Sequence, residues 1–257
     1  MIQIPEGGGG GGGGGSGGSW LAYTTIAAST LLSPGVFYAV DHAASVILTL
    51  PVAVAGSRIG VRYAAAVAGN AITWAGPTLF GQEATLFIPN ETLILVSTGA
   101  QWAVEADGRI PHVALITKSA AQSITSGLET NIDANITQLD NGLIVSGTTS
   151  KQITPIRQGV YRVWSTVVLD GLTDGKWMSI SVGRDGSSAA RHNPLVWSSS
   201  AGAEKRCSIN AEITLDWPLG DSVYWTVQHN QGAAISTLGT GPQSPKMGIR
   251  EELSRLV

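Results

Sequence analysis

Two carboxylate pairs, Asp170 with Asp174 and Asp216 with Asp221, come nearest to acid–base chemistry in this sequence. Cleavage of a glycosidic bond needs two such groups held about 5–9.5 Å apart in a cleft. Both pairs flank turns, where aspartate is the expected turn former. Gly14-Gly15-Ser16-Gly17-Gly18 has the spacing of a nucleophile elbow. No strand leads into it and no helix follows, so the match is an accident of low complexity. The four histidines, His42, His112, His192 and His229, stand far apart with no second ligand at helix or hairpin spacing. Cys207 is the single cysteine, which excludes an intrachain disulfide, and it reads as a small core hydrophobe. The chain is therefore expected to carry no catalytic residue, no resident metal and no cofactor, and not to be an enzyme.

Tryptophan is the residue type in excess: eight, against three phenylalanines. Its broad face stacks on sugars and also fills apolar interfaces. Trp177 and Trp197 sit beside turns in GKW and HNPLVW, with Arg191 and His192 close by in sequence. These four are the candidate receptor-binding residues, a glycan being the ligand class. The competing reading is that the two tryptophans cover a sheet edge.

Charge narrows the partners. Lysine plus arginine number 15 and aspartate plus glutamate 18, a formal net charge of −3. No basic patch speaks for nucleic acid, and no apolar run reaches the ~18 residues of a membrane span. The start lacks the basic and apolar regions of a secretion signal. With only 13% charged residues, some surface is expected to be hidden in an oligomer.

The elements that must carry these residues fall into four stretches. Residues 1–19 are MIQIPE followed by nine glycines, a serine, two more glycines and a second serine. They read as a tether with an apolar hook, Met1, Ile2, Gln3, Ile4 and Pro5 forming the anchor. Extended at about 3.1 Å per residue, Gly7 to Gly18 would reach about 37 Å. Residues 20–105 hold short apolar runs cut by glycine and proline: SVILTLP, RIGVRYA, NAITWAG, ATLFIPN and TLILVSTGAQWAVE. They predict a small all-β module. Residues 106–112, ADGRIPH, read as a linker.

Residues 113–257 alternate more cleanly. Tyr161, Val163, Ser165, Val167 and Leu169 share one face against Arg162, Trp164, Thr166 and Val168. Met178, Ile180 and Val182, then Ile209, Ala211, Ile213 and Leu215, then Val223, Trp225 and Val227, repeat the pattern. A period of two over four segments, separated by Asp-Gly and Asn-Gly turns, predicts antiparallel strands of a β-sandwich or jelly roll.

This C-terminal half resembles the jelly roll of complement's globular heads and the tumour necrosis factor superfamily. Gly159-Val160-Tyr161 is similar to that family's Gly-x-Tyr strand opening. Ser179 to Gly186 is similar to its hairpin, Ile213 to Val223 to its "L-x-L-x-x-G-D-x-V" segment, and Met247-Gly248-Ile249 with Leu253 to its final strand. Met247 stands where an aromatic is usual, and Pro245 and Glu251-Glu252 fall in what should be that last strand. The resemblance implies a homotrimer packed through the sheet that carries the Gly-x-Tyr and Gly-Asp-x-Val strands. Tyr161, Trp164, Tyr224 and Trp225 are its expected interface residues. A metal on the threefold axis, one His229 per chain, is an option beside an ordinary hydrogen-bonded ring. The 20–105 module resembles the small β-repeats of tailed-phage fibres and virion decorations, through Val46–Pro51, Gly69–Thr73 and Leu93–Trp102.

The whole is expected to be all-β: a small N-terminal β-module followed by a homotrimeric C-terminal jelly-roll β-sandwich. The function expected is that of a phage virion structural protein, a short fibre or head decoration on the virion surface. Its N terminus would bind a capsid, neck or tail component and its knob a host-surface glycan. A free carbohydrate-binding module or adhesin is the alternative, and a glycan depolymerase a third.

Overall fold

The computed structural model describes residues 20–66, 70–80, 84–147, 151–155, 157, 159–173, 175–184, 187–192, 195–197, 204–215, 222–239, 242 and 244–253. For 183–184, 187–192, 195–197 and 204–215 it describes the backbone alone. Among the described residues every element of two or more residues is a β-strand, and the chain divides into two compact units between Ile110 and Pro111.

In the first unit the chain winds in coils, alternately placing one strand in each of two sheets. β1 (Ala22–Ile26), β3 (Val36–Val40) and β5 (Arg58–Tyr63) run parallel in one sheet. β2 (Thr30–Leu31), β4 (Val46–Thr49) and β6 (Ile72–Ala75) run parallel in the other. β7 (Thr92–Ser97) and β8 (Trp102–Gly108) then close the first sheet as an antiparallel hairpin, giving the order β1-β3-β5-β7-β8. Val40, Leu48, Ile59, Val61, Tyr63, Ile72, Leu93, Leu95 and Trp102 fill the space between the sheets.

Two local expectations change here. ATLFIPN forms no regular strand, because Glu91 reaches back and its fully buried carboxylate takes the amides of Phe87 and Ile88. Asn90 turns the chain with a φ of 75°. Ala106 to Gly108, read as linker, belong to β8. The following residues are tied in as well: Arg109 pairs with Asp107 at 2.7 Å and the Ile110 amide donates to Glu91.

The second unit is a two-sheet sandwich. One sheet runs β10 (Ser123–Ile124), β21 (Ile235–Thr237), β15 (Gly159–Asp170), β22 (Lys246–Glu252), β9 (Val113–Thr117), β12 (Ile136–Asp140), with β19 (Glu204–Leu215) also on β15. The other runs β13 (Val145–Ser146), β14 (Gln152–Ile153), β20 (Val223–His229), β16 (Trp177–Arg184), β17 (Ser187–His192). There β11 (Thr130–Asn131) pairs with β20 and β18 (Leu195–Trp197) with β16. The chain crosses between sheets at β10–β11, β11–β12, β12–β13, β14–β15, β15–β16, β18–β19, β19–β20 and β20–β21, and every pairing is antiparallel. This is a jelly roll. Its core holds Ala114, Ile116, Tyr161, Val163, Val167, Met178, Ile180, Val182, Val223, Trp225, Val227, Met247 and Ile249.

Candidate functional site

Strand parity decides which side chains a jelly roll keeps and which it shows. On β15 the odd residues from Tyr161 to Leu169 point inward and the even ones outward. Tyr161 and Trp225, both expected at a self-interface, are instead buried inside the sandwich, where alternation sends them with the valines beside them. Trp164 and Tyr224 lie half-buried on outer faces. They are not neighbours, because β15 and β20 belong to different sheets. No single sheet therefore carries both aromatic pairs.

The outer face of the β15 sheet has a definite pattern. Register places Leu139 opposite Leu115, Leu115 opposite Gly248, and Gly248 opposite Trp164. Four strands thus contribute one transverse apolar row. Gly248 is needed within it: a β-carbon there would lie 2.2 Å from Cε2 and Cζ2 of Trp164. The indole rests directly on the glycine backbone. Cations flank the row. Arg162 and Arg250 stand opposite each other in one neighbouring row, Arg162 being 3.4 Å from Glu252. Lys246, opposite Thr117, stands in the other. Beside Lys246 an open groove of 480 Å³ is lined by Leu115, Thr117, Lys118, Ile136, Gln138 and Ser244, among others.

Sequence reasoning found Trp164 but missed Gly248, Leu115 and Leu139. Two signals were available. An isolated glycine inside a strand pattern marks a close approach. The unbroken apolar run VALI marks a strand with two apolar faces.

Beneath this face lies a buried polar cluster. Glu251 shares a register with Tyr161 and so points inward. Its carboxylate accepts from Arg157 at 2.9 Å and from the His112 amide at 3.1 Å, and the Tyr161 hydroxyl donates to the Arg157 carbonyl. All four residues are fully enclosed or nearly so. An acid that looked foreign to a last strand is therefore that strand's internal partner for Arg157. None of the four is more than 2% exposed, and the geometry is that of a structural ion pair.

His229 is enclosed too. Its Nδ1 accepts from the Gln231 amide at 3.1 Å, which puts the ring proton on Nε2, 2.9 Å from the Ile124 carbonyl oxygen. Both nitrogens are used within the chain, so the axial-metal option fails on geometry. Among the described residues no group of three His, Cys, Asp or Glu side chains converges on a metal position.

The receptor candidates fall on β16 and on β17 and β18, the strands that pair with its outer side. Trp177 is half-buried and opposite Trp197 in register, and its amide donates to Asn230. His192 is opposite Val182, five residues further along β16, and Arg191 precedes it. The side chains of Arg191, His192 and Trp197 lie outside the described residues, as do Met1 to Pro5, Asp174, Asp216, Asp221 and Cys207's side chain.

No protein-family model matches the chain, and no curated protein matches it. Among solved structures it is similar to murine APRIL, at 16% identity over 56% of this chain and 100% of that one, with a TM-score of 0.43. Eiger TNF from S. frugiperda gives 13%, 56%, 95% and 0.39. The PRD1 vertex protein P5 gives 17%, 60%, 78% and 0.40. Likenesses at these scores carry no functional argument; the fold rests on the strand order above.

Proposed function

We propose that the chain is a structural protein of a phage-like virion, a homotrimer whose jelly rolls meet through the outer face of the β15 sheet. The observation that supports the self-contact is the row Leu139, Leu115, Gly248 and Trp164, apolar on a face that a solitary sandwich would leave to water; the virion role rests on the resemblance of the 20–105 module to phage fibre repeats. A contiguous apolar strip with a charged rim has the anatomy of an interface. The count of three follows from the resemblance to complement heads and the tumour necrosis factor superfamily. Trp164 is the central contact in this reading; Tyr224, on the other sheet, would meet a neighbour at its periphery.

Met1 to Pro5 anchor the trimer to a capsid, neck or tail component in this reading, and the glycine-rich tether gives reach. The jelly roll faces outward and binds a host-surface glycan through Trp177, Arg191, His192 and Trp197. Three weak sites on each of many trimers raise effective affinity without one strong site. The test is particle incorporation of a chain lacking residues 1–6, together with glycan-array binding of a Trp177→Ala, Trp197→Ala variant. Loss of incorporation with retained folding, and loss of array signal, are expected. Full incorporation of the truncated chain would refute the anchor, and unchanged array binding would refute the receptor residues.

A further inference from the structure

The coiled first unit is finished at one end and open at the other. At its C-terminal end another segment bonds to one residue of the edge strand in each sheet. Trp102 donates to the Pro77 carbonyl and accepts from the Leu79 amide, each at 2.8 Å, along β8. Ile72 and Leu86 exchange two hydrogen bonds along β6. A register irregularity at Ile94/Leu95 and the ion pairs Arg58–Glu105 and Arg109–Asp107 further blunt β8. Such devices stop a sheet edge from pairing with another chain.

The N-terminal end has none of them. β1 and β2 are the last strands of their sheets, and among the described residues no strand pairs with their outer edges. No charged residue occurs between Glu6 and Asp41. Leu21, Tyr23 and Leu31 are exposed to 83%, 56% and 65%. Among the described residues the module thus has bonded positions on one pair of edge strands and none on the other.

We propose that this bare edge pairs with a second copy of the chain about a twofold axis, β1 to β1, antiparallel. Three observations favour that occupant. Head-to-tail stacking is disfavoured, because at the other end the Pro77–Leu79 segment already takes the Trp102 backbone and β8 is irregular at Ile94/Leu95. The bare edge carries no charge by which a differently charged partner could be selected. And AYTTI is self-complementary: centred on Thr24, the pairing sets Ala22 against Ile26 and Tyr23 against Thr25. That register keeps inward residues with inward ones and outward with outward. It is an isologous contact, made once by each of two identical edges. It lies in the first unit and is independent of the jelly-roll contact proposed above.

The test is the native mass of the full chain against a Tyr23→Lys, Leu31→Lys variant, with circular dichroism confirming that the variant folds. Both positions are exposed, so the fold is expected to survive. The mass is expected to halve. It falls from six copies to three if the jelly rolls trimerise, and from two to one if they do not, which separates failure of this proposal from failure of the trimer. The register has its own check: Tyr23→Lys combined with Thr25→Glu places opposite charges across the twofold axis and restores the larger mass that Tyr23→Lys alone abolishes. Equal masses for wild type and the double lysine variant would overturn the proposal. So would a larger assembly after removal of residues 1–19, since that would mean the chain's own N terminus covers the edge.

Discussion

The contact between Trp164 and Gly248 makes a prediction whose sign depends on its partner. Gly248 has no left-handed backbone, so alanine meets no strain in φ there. What it meets is the indole: the new methyl would sit 2.2 Å from two ring carbons, far inside van der Waals contact. Overpacking of this kind costs about 1–3 kcal/mol. Without the indole, the same change should help, since a strand glycine is about 0.5–1 kcal/mol worse than alanine. Gly248→Ala is thus expected to destabilise the wild-type chain and to stabilise the Trp164→Ala chain. The coupling between the two positions is about 1.5–4 kcal/mol. Urea unfolding of the four proteins at one fixed protomer concentration measures it, since oligomer stability varies with concentration. If Gly248→Ala costs the same with and without Trp164, the indole does not rest on Gly248 and the apolar row is not built as described.

Three further outcomes follow from buried groups. Glu251→Gln, which leaves the Arg157 guanidinium without its 2.9 Å carboxylate, should cost about 3–5 kcal/mol in urea unfolding, and a joint Arg157→Met, Glu251→Leu change much less. Glu91→Ala removes the acceptor for the Phe87, Ile88 and Ile110 amides. It should cost about 3 kcal/mol or more, since each orphaned buried donor costs about 1–3. Tyr63 has its hydroxyl pKa raised above the usual tyrosine value, first by burial and also by the charge of Glu91, against a lowering hydrogen bond with Asn70. The unfolded chain loses that proton first. Its contribution to stability is therefore full below the ordinary tyrosine value and is lost as pH rises toward the folded one. Tyr63→Phe should flatten the alkaline fall in stability; an unchanged alkaline limb would contradict the assignment.

The jelly roll was legible because its long strands announce themselves. β15, β16, β19 and β20 all follow the two-residue alternation, and Arg184 opposite Ser187 brackets the expected turn. What alternation leaves open is which parity faces the core and which strands share a sheet. Tyr161 and Trp225 consequently went inside, and β15 and β20 went to different sheets. The coiled winding of the first unit was beyond local reading. Its strands are two to six residues long between coils, and nothing in a short apolar run says that successive runs go to alternate sheets in parallel. ATLFIPN has a strand's composition, yet one side chain, Glu91, takes over its backbone donors. Glu251 looked like a flaw in the last strand because its partner, Arg157, lies 94 residues away in sequence.

Whether the outer face of the β15 sheet is a self-interface is tested most directly by native mass spectrometry of the full chain beside a Leu115→Asp variant. The wild type should assemble in a multiple of three 26.6-kDa chains, and the aspartate, placed in the middle of the apolar row, should cut that number threefold while the sheet remains folded. A wild-type mass of one chain, or an assembly whose size Leu115→Asp leaves unchanged, would contradict the account.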